Sequence, residues 1–282
     1  MGNKIAAIQL VSGADVLENL EAAAKQIRAA SQAGASVILL PENFAVLDGG
    51  PLSQYAECEG DKQALLQSFL CAQAREHQIY LIGGTIPLST RPLVSGQQTP
   101  ERIGDGRVRP ANLVFDPEGN LIARYDKIHL FDVKVADKQA QYSESNSFEA
   151  GTQPRCVETA LGCIGLSICY DLRFAELYRV LVEMGAQVLT VPSAFTQVTG
   201  AAHWEVLLRA RAIENQCYVL AANQGGVHNA SRETYGHSMI IDPWGRVLAQ
   251  LEKGEGFVIA DIDLEELAAL RANMPIQSHR RL

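Results

Sequence analysis

The chain has 282 residues, of which 47% are hydrophobic and 20% are charged, and this is the composition of a soluble globular protein with one large domain or two ordinary ones. Its 24 basic and 32 acidic residues give a formal net charge of −8, with no run of lysine or arginine, which argues against binding to nucleic acid or to a membrane surface. No apolar run approaches the roughly 20 residues that a membrane helix needs.

Short apolar runs rich in Val, Ile and Leu predict β-strands along the whole chain. In chain order these runs are residues 5–10, 36–40, 79–83, 112–115, 163–168, 187–191, 218–222, 239–241 and 257–262. Between some of them lie stretches with the 3.6-residue period of helices, namely 16–30, 61–77, 174–184 and 201–216. Strands that alternate with helices predict a layered α/β fold.

Three segments of the first half recur in the second half in the same order. The pairs are ASVILLPENF (35–44) with AQVLTVPSAF (186–195), YLIGG (80–84) with YVLAA (218–222), and DPEGNLIA (116–123) with DPWGRVLA (242–249). These echoes predict a duplicated unit of about half the chain, and each Asp-Pro-x-Gly predicts a hairpin turn. We expect the two units to stack sheet on sheet, with helices outside, as one domain over 1–282. Two separate domains are the alternative, although no Pro/Gly/Ser linker lies near the middle.

Two further features of the sequence are a long polar segment and the spacing of the cysteines. Residues 87–110 are rich in Ser, Gly, Pro, Gln and Arg and predict a long loop, which is either functional or a tolerated surface insertion. The six cysteines are irregularly spaced without a C-x-x-C pair, and the first ten residues become polar too soon for a signal peptide. We therefore expect reduced thiols and a cytoplasmic protein.

The familiar cofactor motifs are missing from the sequence. It has no glycine-rich nucleotide-binding motif, no H-E-x-x-H and no Cys/His cluster with metal-ligand spacing, so we expect neither a cofactor nor a metal. Residues 165–169, GLSIC, begin like the serine nucleophile elbow G-x-S-x-G but end in cysteine. This difference removes the serine-hydrolase interpretation.

Cys169 follows the predicted strand 163–168 and precedes a helical pattern. A strand-to-helix junction exposes a side chain at the sheet edge and points backbone N–H groups toward it, which favours a thiolate and a developing oxyanion. Cysteine is also among the most buried residue types, so position alone favours a structural role.

Two charged residues stand in apolar surroundings. Glu42 follows the apolar run 37–41, where desolvation would raise the carboxyl pKa and suit a general base. A strand-end acid or helix cap is the alternative for Glu42. Lys127 lies in YDKIHLF (125–131), whose apolar residues could draw it inward; the alternative is a lysine whose ammonium reaches solvent.

Taken together, three motifs resemble the signatures of the nitrilase superfamily of carbon–nitrogen hydrolases, in that family's order and at similar separations. They are LPENF (40–44), DKIHL (126–130) and ICYDLR (168–173). The resemblance extends over residues 5–262, nearly the whole chain. It implies an internally duplicated, four-layer αββα sandwich.

The resemblance also implies a catalytic triad of Glu42, Lys127 and Cys169. Glu144 matches a second glutamate of the family and is implied to orient Lys127 and the substrate. In this chemistry Glu42 takes the thiol proton, the thiolate attacks an amide carbonyl, and Lys127 with the backbone N–H of Tyr170 holds the oxyanion. A water activated by Glu42 then hydrolyses the thioester.

The residues around Cys169 resemble the Nit branch of the superfamily. True nitrilases usually have Cys-Trp-Glu at the nucleophile, whereas residues 169–171 are Cys-Tyr-Asp, which argues against nitrile hydrolysis. The branch contains an amidase that hydrolyses deaminated glutathione to 2-oxoglutarate and cysteinylglycine, a metabolite-repair reaction. It also contains an ω-amidase that acts on 2-oxoglutaramate and 2-oxosuccinamate. VPSAFT (191–196) and ANQ (222–224) resemble the first group more, so we expect that activity, with ω-amidase as the alternative.

Both activities require a small-molecule amide that carries a 2-oxoacid carboxylate. Arg173 could hold this carboxylate with two hydrogen bonds, unless it is a surface arginine paired with Glu176. Phe195 and Thr199 follow an echoed strand and could line the pocket, and the 87–110 loop would limit the leaving group if it reached the mouth. The resemblance further implies a homodimer or larger homo-oligomer.

Two other classes of protein remain open. A papain-like thiol hydrolase needs a histidine polarised by Asn or Asp, and His129, His203 and His237 are available without a distinctive context. A non-enzymatic interaction module would leave Cys169 unreactive toward a mild alkylating reagent.

Overall fold

The structure is a computed structural model that describes residues 3–61, 63–93 and 99–281. Its strands are β1 (Lys4–Gln9), β2 (Ala35–Leu39), β3 (Tyr80–Ile82), β4 (Ile86–Leu88), β5 (Arg109–Phe115), β6 (Leu121–Asp126), β7 (Asp132–Lys134), β8 (Gln141–Ser143), β9 (Arg155–Thr159), β10 (Gly162–Leu166), β11 (Val188–Ser193), β12 (Tyr218–Asn223), β13 (Ser238–Ile241), β14 (Val247–Leu251) and β15 (Gly256–Asp261). Its α-helices are α1 (Val16–Gln32), α2 (Leu65–His77), α3 (Ala175–Glu183), α4 (Gln197–Asn215) and α5 (Leu264–Asn273). Within these ranges, no helix has the length and apolar character needed to cross a membrane.

Two large sheets repeat one topology. The first has the strand order β15-β1-β2-β3-β5-β4, with β6 also paired to β5, and the second has the order β14-β13-β12-β11-β10-β9. In the first sheet β1, β2 and β3 pair in parallel and continue into antiparallel β5 and β6. In the second sheet β10, β11 and β12 pair in parallel and continue into antiparallel β13 and β14. The predicted duplication is therefore confirmed.

The two Asp-Pro-x-Gly segments form the predicted hairpin turns, between β5 and β6 and between β13 and β14. Asp116 Oδ1 accepts hydrogen bonds from the backbone N–H groups two and four residues later, at 3.0 and 2.7 Å. Asp242 Oδ1 accepts the equivalent bonds at 3.0 and 2.8 Å. The same sequence therefore builds the same turn in both halves.

Alternate side chains of β1 belong to different apolar clusters, as the two-residue period of a strand requires. Ala6 and Ile8 of β1 pack in one apolar cluster with residues of α1 and α2. Ile5 and Ala7 of the same strand belong to the other cluster, which contains residues of β10 to β13 and of α3 and α4. The layers are thus helices, sheet, sheet and helices, which is the predicted αββα sandwich.

Several boundaries differ from the predicted ones. Helix α2 begins at Leu65 rather than 61, and Lys62 lies outside the described residues. Helix α4 begins at Gln197 rather than 201, because the Thr196 side chain caps it by accepting a hydrogen bond from the Thr199 N–H at 3.2 Å. Helix α5 was not predicted, since Leu267 alone among its residues is buried and the apolar period is weak.

The predicted 87–110 loop is partly regular, because its ends form parts of β4 and β5. Its residues 94–98 lie outside the described residues. Elsewhere the loop is held by charge: Arg91 and Arg109 both form ion pairs with Glu149, and Arg109 also pairs with Asp126 at 2.8 Å.

Candidate active site

Glu42 is positioned by the close packing of the chain just beyond β2. The Leu40 N–H donates to the Ile82 carbonyl at 2.9 Å, which keeps this segment beside β3. Gly84 has a φ of +58°, and a Cβ there would collide with the carbonyl oxygen of Pro41. A glycine is therefore required at 84 for the backbone to bring Glu42 to its place, where the residue is only 4% exposed.

Lys127 follows β6 and is fixed by backbone hydrogen bonds on both sides. Its N–H donates to the Pro110 carbonyl at 3.1 Å, and its carbonyl accepts from the Gly151 N–H at 2.8 Å. A Cβ at position 151 would collide with the carbonyl of Asp126, so the approach of this segment also depends on glycine.

The ammonium of Lys127 joins two carboxylates. Its side chain is fully buried, and Nζ donates to Glu42 Oε1 at 2.8 Å and to Glu144 Oε1 and Oε2 at 3.0 and 2.9 Å. Burial disfavours the ammonium, but the Glu144 and Glu42 carboxylates outweigh it, so the pKa of Lys127 stands well above its ordinary value. Burial also raises the pKa of Glu144, although Lys127 opposes this effect. The cation is thus retained in a dry site by its partners.

Cys169 opens a 3₁₀ turn, Cys169–Arg173, that follows β10. Its φ of +48° lies in the left-handed region that non-glycine residues rarely adopt, and such strained positions cluster at functional sites. Helix α3 begins at Ala175, one residue after the predicted 174, but the 3₁₀ turn separates it from Cys169, so the expected direct strand-to-helix junction is not observed. Arg173 lies in the turn and not in the first turn of the helix.

The turn is locked by Asp171, whose role the sequence analysis did not identify. Asp171 is fully buried, and its Oδ2 accepts hydrogen bonds from the Ile168 N–H at 2.8 Å and from the Tyr125 hydroxyl at 2.7 Å. Its Oδ1 accepts from the His129 N–H at 3.0 Å. Because Tyr125 and His129 flank Lys127 in sequence, Asp171 connects the segment that carries Lys127 with the turn that carries Cys169.

The thiol of Cys169 lies in a strongly desolvated position among charged groups. Burial raises the pKa of Cys169 well above its ordinary value, Glu42 raises it further, and Lys127 opposes them. The backbone N–H of Ala194 also lowers this pKa, and it donates to Glu42 Oε2 at 3.0 Å. The thiol is therefore neutral at pH 7 and needs a base to become a nucleophile.

The remaining predicted residues surround one cavity of about 310 Å³. The predicted site residues that line it are Glu42, Glu144, Cys169, Tyr170, Arg173, Phe195 and Thr199. Lys127 does not line it and lies behind the two glutamates that do. Among the described residues of the 87–110 segment, none lines this cavity.

Arg173 carries a positive charge without an acidic partner. Its guanidinium lies 5.7 Å from the centre of the Tyr170 ring and 5.4 Å from that of Phe195, and it contacts His203 Nδ1 at 3.3 Å. Within the described part of the chain it forms no ion pair with Glu176 or any other carboxylate. The alternative of a surface pair with Glu176 is therefore not observed.

The histidines do not form a papain-like arrangement. His129 is bonded to Asp171 through Nδ1 at 2.7 Å, and His237 stacks on the ring of Tyr235. Of His129, His203 and His237, none lines the cavity that contains Cys169.

Known proteins agree with this architecture. The model of the carbon-nitrogen hydrolase family matches residues 4–272. The chain belongs to this family. The chain is 38% identical to a deaminated glutathione amidase of Yersinia enterocolitica and 42% identical to one of Synechocystis, over 98% of this chain and 92% and 97% of those proteins. It also resembles the solved structure of Nit3 of Saccharomyces cerevisiae, a member of branch 10 of the nitrilase superfamily, with a TM-score of 0.84, 30% identity and coverage of 99% and 96%.

Membership of the carbon–nitrogen hydrolases confirms both the family and the fold that the three motifs predicted. Sequence reasoning missed Asp171, although it lies inside ICYDLR. It also missed Ala194 and Arg232, which line the cavity beside the predicted residues. Ala194 had a signal, because the residue before it, Ser193, occupies the position of Glu42 in the echoed segment.

Proposed function

We propose that this carbon–nitrogen hydrolase is a cytoplasmic amidase, formed by one domain over 1–282, that hydrolyses deaminated glutathione to 2-oxoglutarate and cysteinylglycine. The main support for this proposal is the position of the Lys127 ammonium, which is bonded to Glu42 and Glu144 behind the cavity that Cys169 lines. The choice of substrate is supported by the relatives named deaminated glutathione amidase, 38 to 42% identical over nearly the whole chain.

The first half of the reaction forms a thioester. Glu42 takes the proton of the Cys169 thiol, and the thiolate attacks the amide carbonyl that joins the 2-oxoglutaryl group to cysteinylglycine. The carbonyl oxygen becomes an oxyanion, which Lys127 and the Tyr170 N–H stabilise. Tyr170 directly follows Cys169 in the 3₁₀ turn, so its N–H lies next to the nucleophile along the backbone. Collapse of the intermediate releases the amine, which receives the proton from Glu42.

The second half regenerates the thiol. Glu42 takes a proton from water, the hydroxide adds to the thioester carbonyl, and the thiolate leaves and is reprotonated by Glu42. Glu144 holds Lys127 in place, and because both of its oxygens accept from Nζ, one donor can turn toward the oxyanion while the other contact remains. No step needs a metal or an organic cofactor.

Substrate recognition uses the residues around the cavity. Arg173 forms no ion pair within the described part of the chain, and its guanidinium has the geometry that binds a carboxylate through two hydrogen bonds, so we assign it the 2-oxoacid carboxylate. Phe195 packs under Arg173 and Thr199 lines the same wall, so both shape the space for the acyl chain. We further expect a homodimer or larger homo-oligomer.

A coupled assay for 2-oxoglutarate tests the proposal. Deaminated glutathione and 2-oxoglutaramate are offered separately to the wild-type protein and to Cys169→Ala. Faster turnover of deaminated glutathione by the wild type, with no turnover by the variant, is expected. Preference for 2-oxoglutaramate would make the protein an ω-amidase, and turnover of neither would refute the substrate class.

A further inference from the structure

Arg232 is a second arginine that lines the cavity, on the segment between β12 and β13. Its guanidinium donates to Gln139 Oε1 at 3.3 Å and to the Ala194 carbonyl at 3.4 Å, and lies 5.0 Å from the centre of the Tyr142 ring. Its Nε is buried and has no hydrogen-bond partner among the described residues. A buried, unused donor on a charged group is costly unless a ligand satisfies it.

The charges around the cavity leave this arginine without a counter-ion. The lining carboxylates of Glu42 and Glu144 are bonded to Lys127. The third, Asp48, accepts from the Asn229 side chain at 2.6 Å and forms no ion pair with either arginine in the described ranges. Arg173 and Arg232 are thus two cations in one small cavity that have no carboxylate partner among the described residues, an arrangement that favours a ligand with two negative charges.

The position of Arg232 indicates which part of the substrate it meets. It contacts the carbonyl side of residue 194, the residue whose N–H faces Glu42 and the thiol of Cys169. Its other hydrogen bond reaches Gln139, an exposed residue in the connection between β7 and β8. Arg232 therefore lies between the reacting groups and the protein surface. Since Arg173 is assigned the 2-oxoacid carboxylate, Arg232 is left for the other side of the scissile bond.

We propose that Arg232 binds a carboxylate on the leaving amine, so that the site selects amides with one carboxylate on each side of the scissile bond. This inference rests on the proposed function and refines it. In deaminated glutathione, the 2-oxoacid carboxylate would meet Arg173 and the glycine carboxylate would meet Arg232. 2-Oxoglutaramate releases ammonia and has no second carboxylate, so it cannot use Arg232.

Steady-state kinetics with matched substrates test this assignment. The substrates are deaminated glutathione and the same molecule with its glycine carboxylate converted to a carboxamide. The proteins are the wild type, Arg232→Gln, and the control Arg107→Gln, which removes a partly exposed arginine that pairs with Asp105 outside the cavity. We expect the wild type to lose about 10- to 100-fold in kcat/KM on the carboxamide, the range for one hydrogen bond to a charged group. Arg232→Gln should lose a similar factor on the acid and little more on the carboxamide, whereas Arg107→Gln should follow the wild type.

The results that would contradict the assignment of Arg232 can be told apart. Equal losses of Arg232→Gln on both substrates and on 2-oxoglutaramate would show that Arg232 merely supports residue 194, and would overturn the assignment. If the variant does not fold, equal kcat/KM of the wild type on the acid and the carboxamide overturns it by itself. Failure of the wild type to hydrolyse deaminated glutathione at all would refute the proposed function as well, so the two failures are distinguishable.

Discussion

The two halves of the chain have the same strand order but different chemistry at corresponding strand ends. Glu42 follows β2 in the first half, and Ser193 ends β11 at the corresponding position in the second half. Ser193 is fully buried and its hydroxyl bonds only weakly, to the Val191 carbonyl at 3.5 Å. The next residue, Ala194, contributes its backbone N–H to Glu42. One strand end thus supplies a carboxylate, and its counterpart supplies a backbone donor to that carboxylate.

This difference shows how a duplicated fold produces an asymmetric site. Glu42 and Lys127 come from the segments that follow two strands of the first sheet, and Cys169 comes from the segment that follows a strand of the second. Because the two sheets pack face to face, these ends meet across the sandwich. The proposed nucleophile and the proposed base therefore belong to different halves, and neither half could hold the site alone.

Apart from loss of the nucleophile itself, the largest effect is expected for Lys127→Met, which removes the cation between Glu42 and Glu144. Loss of an oxyanion donor should lower kcat about 10²- to 10³-fold. Leaving the buried Glu42 and the partly buried Glu144 without their cation should lower the free energy of unfolding by about 3–5 kcal/mol. Activity assays and urea unfolding measure both effects. Lys25→Met on the exposed face of α1 is the control, and a Lys127 variant with more than half of the wild-type activity would contradict the account.

A smaller effect is expected for Asp171→Asn, which disturbs the link between the halves. The amide has the same shape as the carboxylate, but its NH₂ group would face N–H or O–H groups whose hydrogen bonds Asp171 accepts in the wild type. We expect unfolding to become easier by about 1.5–3 kcal/mol, the range for hydrogen bonds to a charged group. Asp171 is a positioning residue, so kcat should fall while KM for deaminated glutathione changes little. An unchanged kcat in a folded variant would show that the turn does not depend on Asp171.

Acid stability should depend on Glu149, which forms ion pairs with Arg91 and Arg109 of the first half. The Arg91 hydrogen bond, with help from Arg109, lowers the pKa of Glu149 from 4.5 to about 2. Because the folded chain favours the charged form of Glu149, the carboxylate stabilises the fold above pH 4.5. This stabilisation is lost as the pH falls toward 2 and Glu149 becomes protonated. Between these pH values, the melting temperature of the wild type should fall more steeply than that of Glu149→Gln. Glu118→Gln, an exposed change in the turn between β5 and β6, is the control, and parallel pH profiles of wild type and Glu149→Gln would contradict the assignment.

The smallest effects are expected at the repeated hairpin turns. Asp116→Ala should cost about 1 kcal/mol of unfolding free energy, because its carboxylate caps two backbone N–H groups near solvent. Asp242→Ala should cost more, since Asp242 is only 4% exposed and also pairs with Arg246. Equilibrium unfolding of the two variants measures the difference. A larger loss for Asp116 would show that burial does not distinguish the two turns.

Much of this arrangement could be predicted from local sequence. The three echoed segments predicted the duplication, because each of them forms a strand or a turn through its own local sequence. LPENF, DKIHL and ICYDLR brought Glu42, Lys127 and Cys169 together through family resemblance. No property of the separate segments showed that they would meet.

Other features depend on the folded chain. Asp171 acts through Tyr125 and His129, which are more than 40 residues away in sequence. The N–H of Ala194 carries no side-chain signal. Arg232 became a candidate only because the fold places it in the cavity, where the described residues give it no acidic partner. Likewise, the apolar periodicity of the sequence does not show the left-handed backbone of Cys169 or the 3₁₀ turn before α3.

The central claim is that Cys169 of the second half is acylated with Glu42 of the first half as its base. The most direct measurement mixes the protein with deaminated glutathione, quenches it with acid within the first turnovers, and determines which peptide carries the acyl group by mass spectrometry. The account predicts a 2-oxoglutaryl thioester on the peptide that contains Cys169, no acylation of Cys169→Ala, and a loss of activity in that variant of roughly 10⁴-fold or more. An acyl group on another cysteine, or turnover by Cys169→Ala near the wild-type rate, would contradict it.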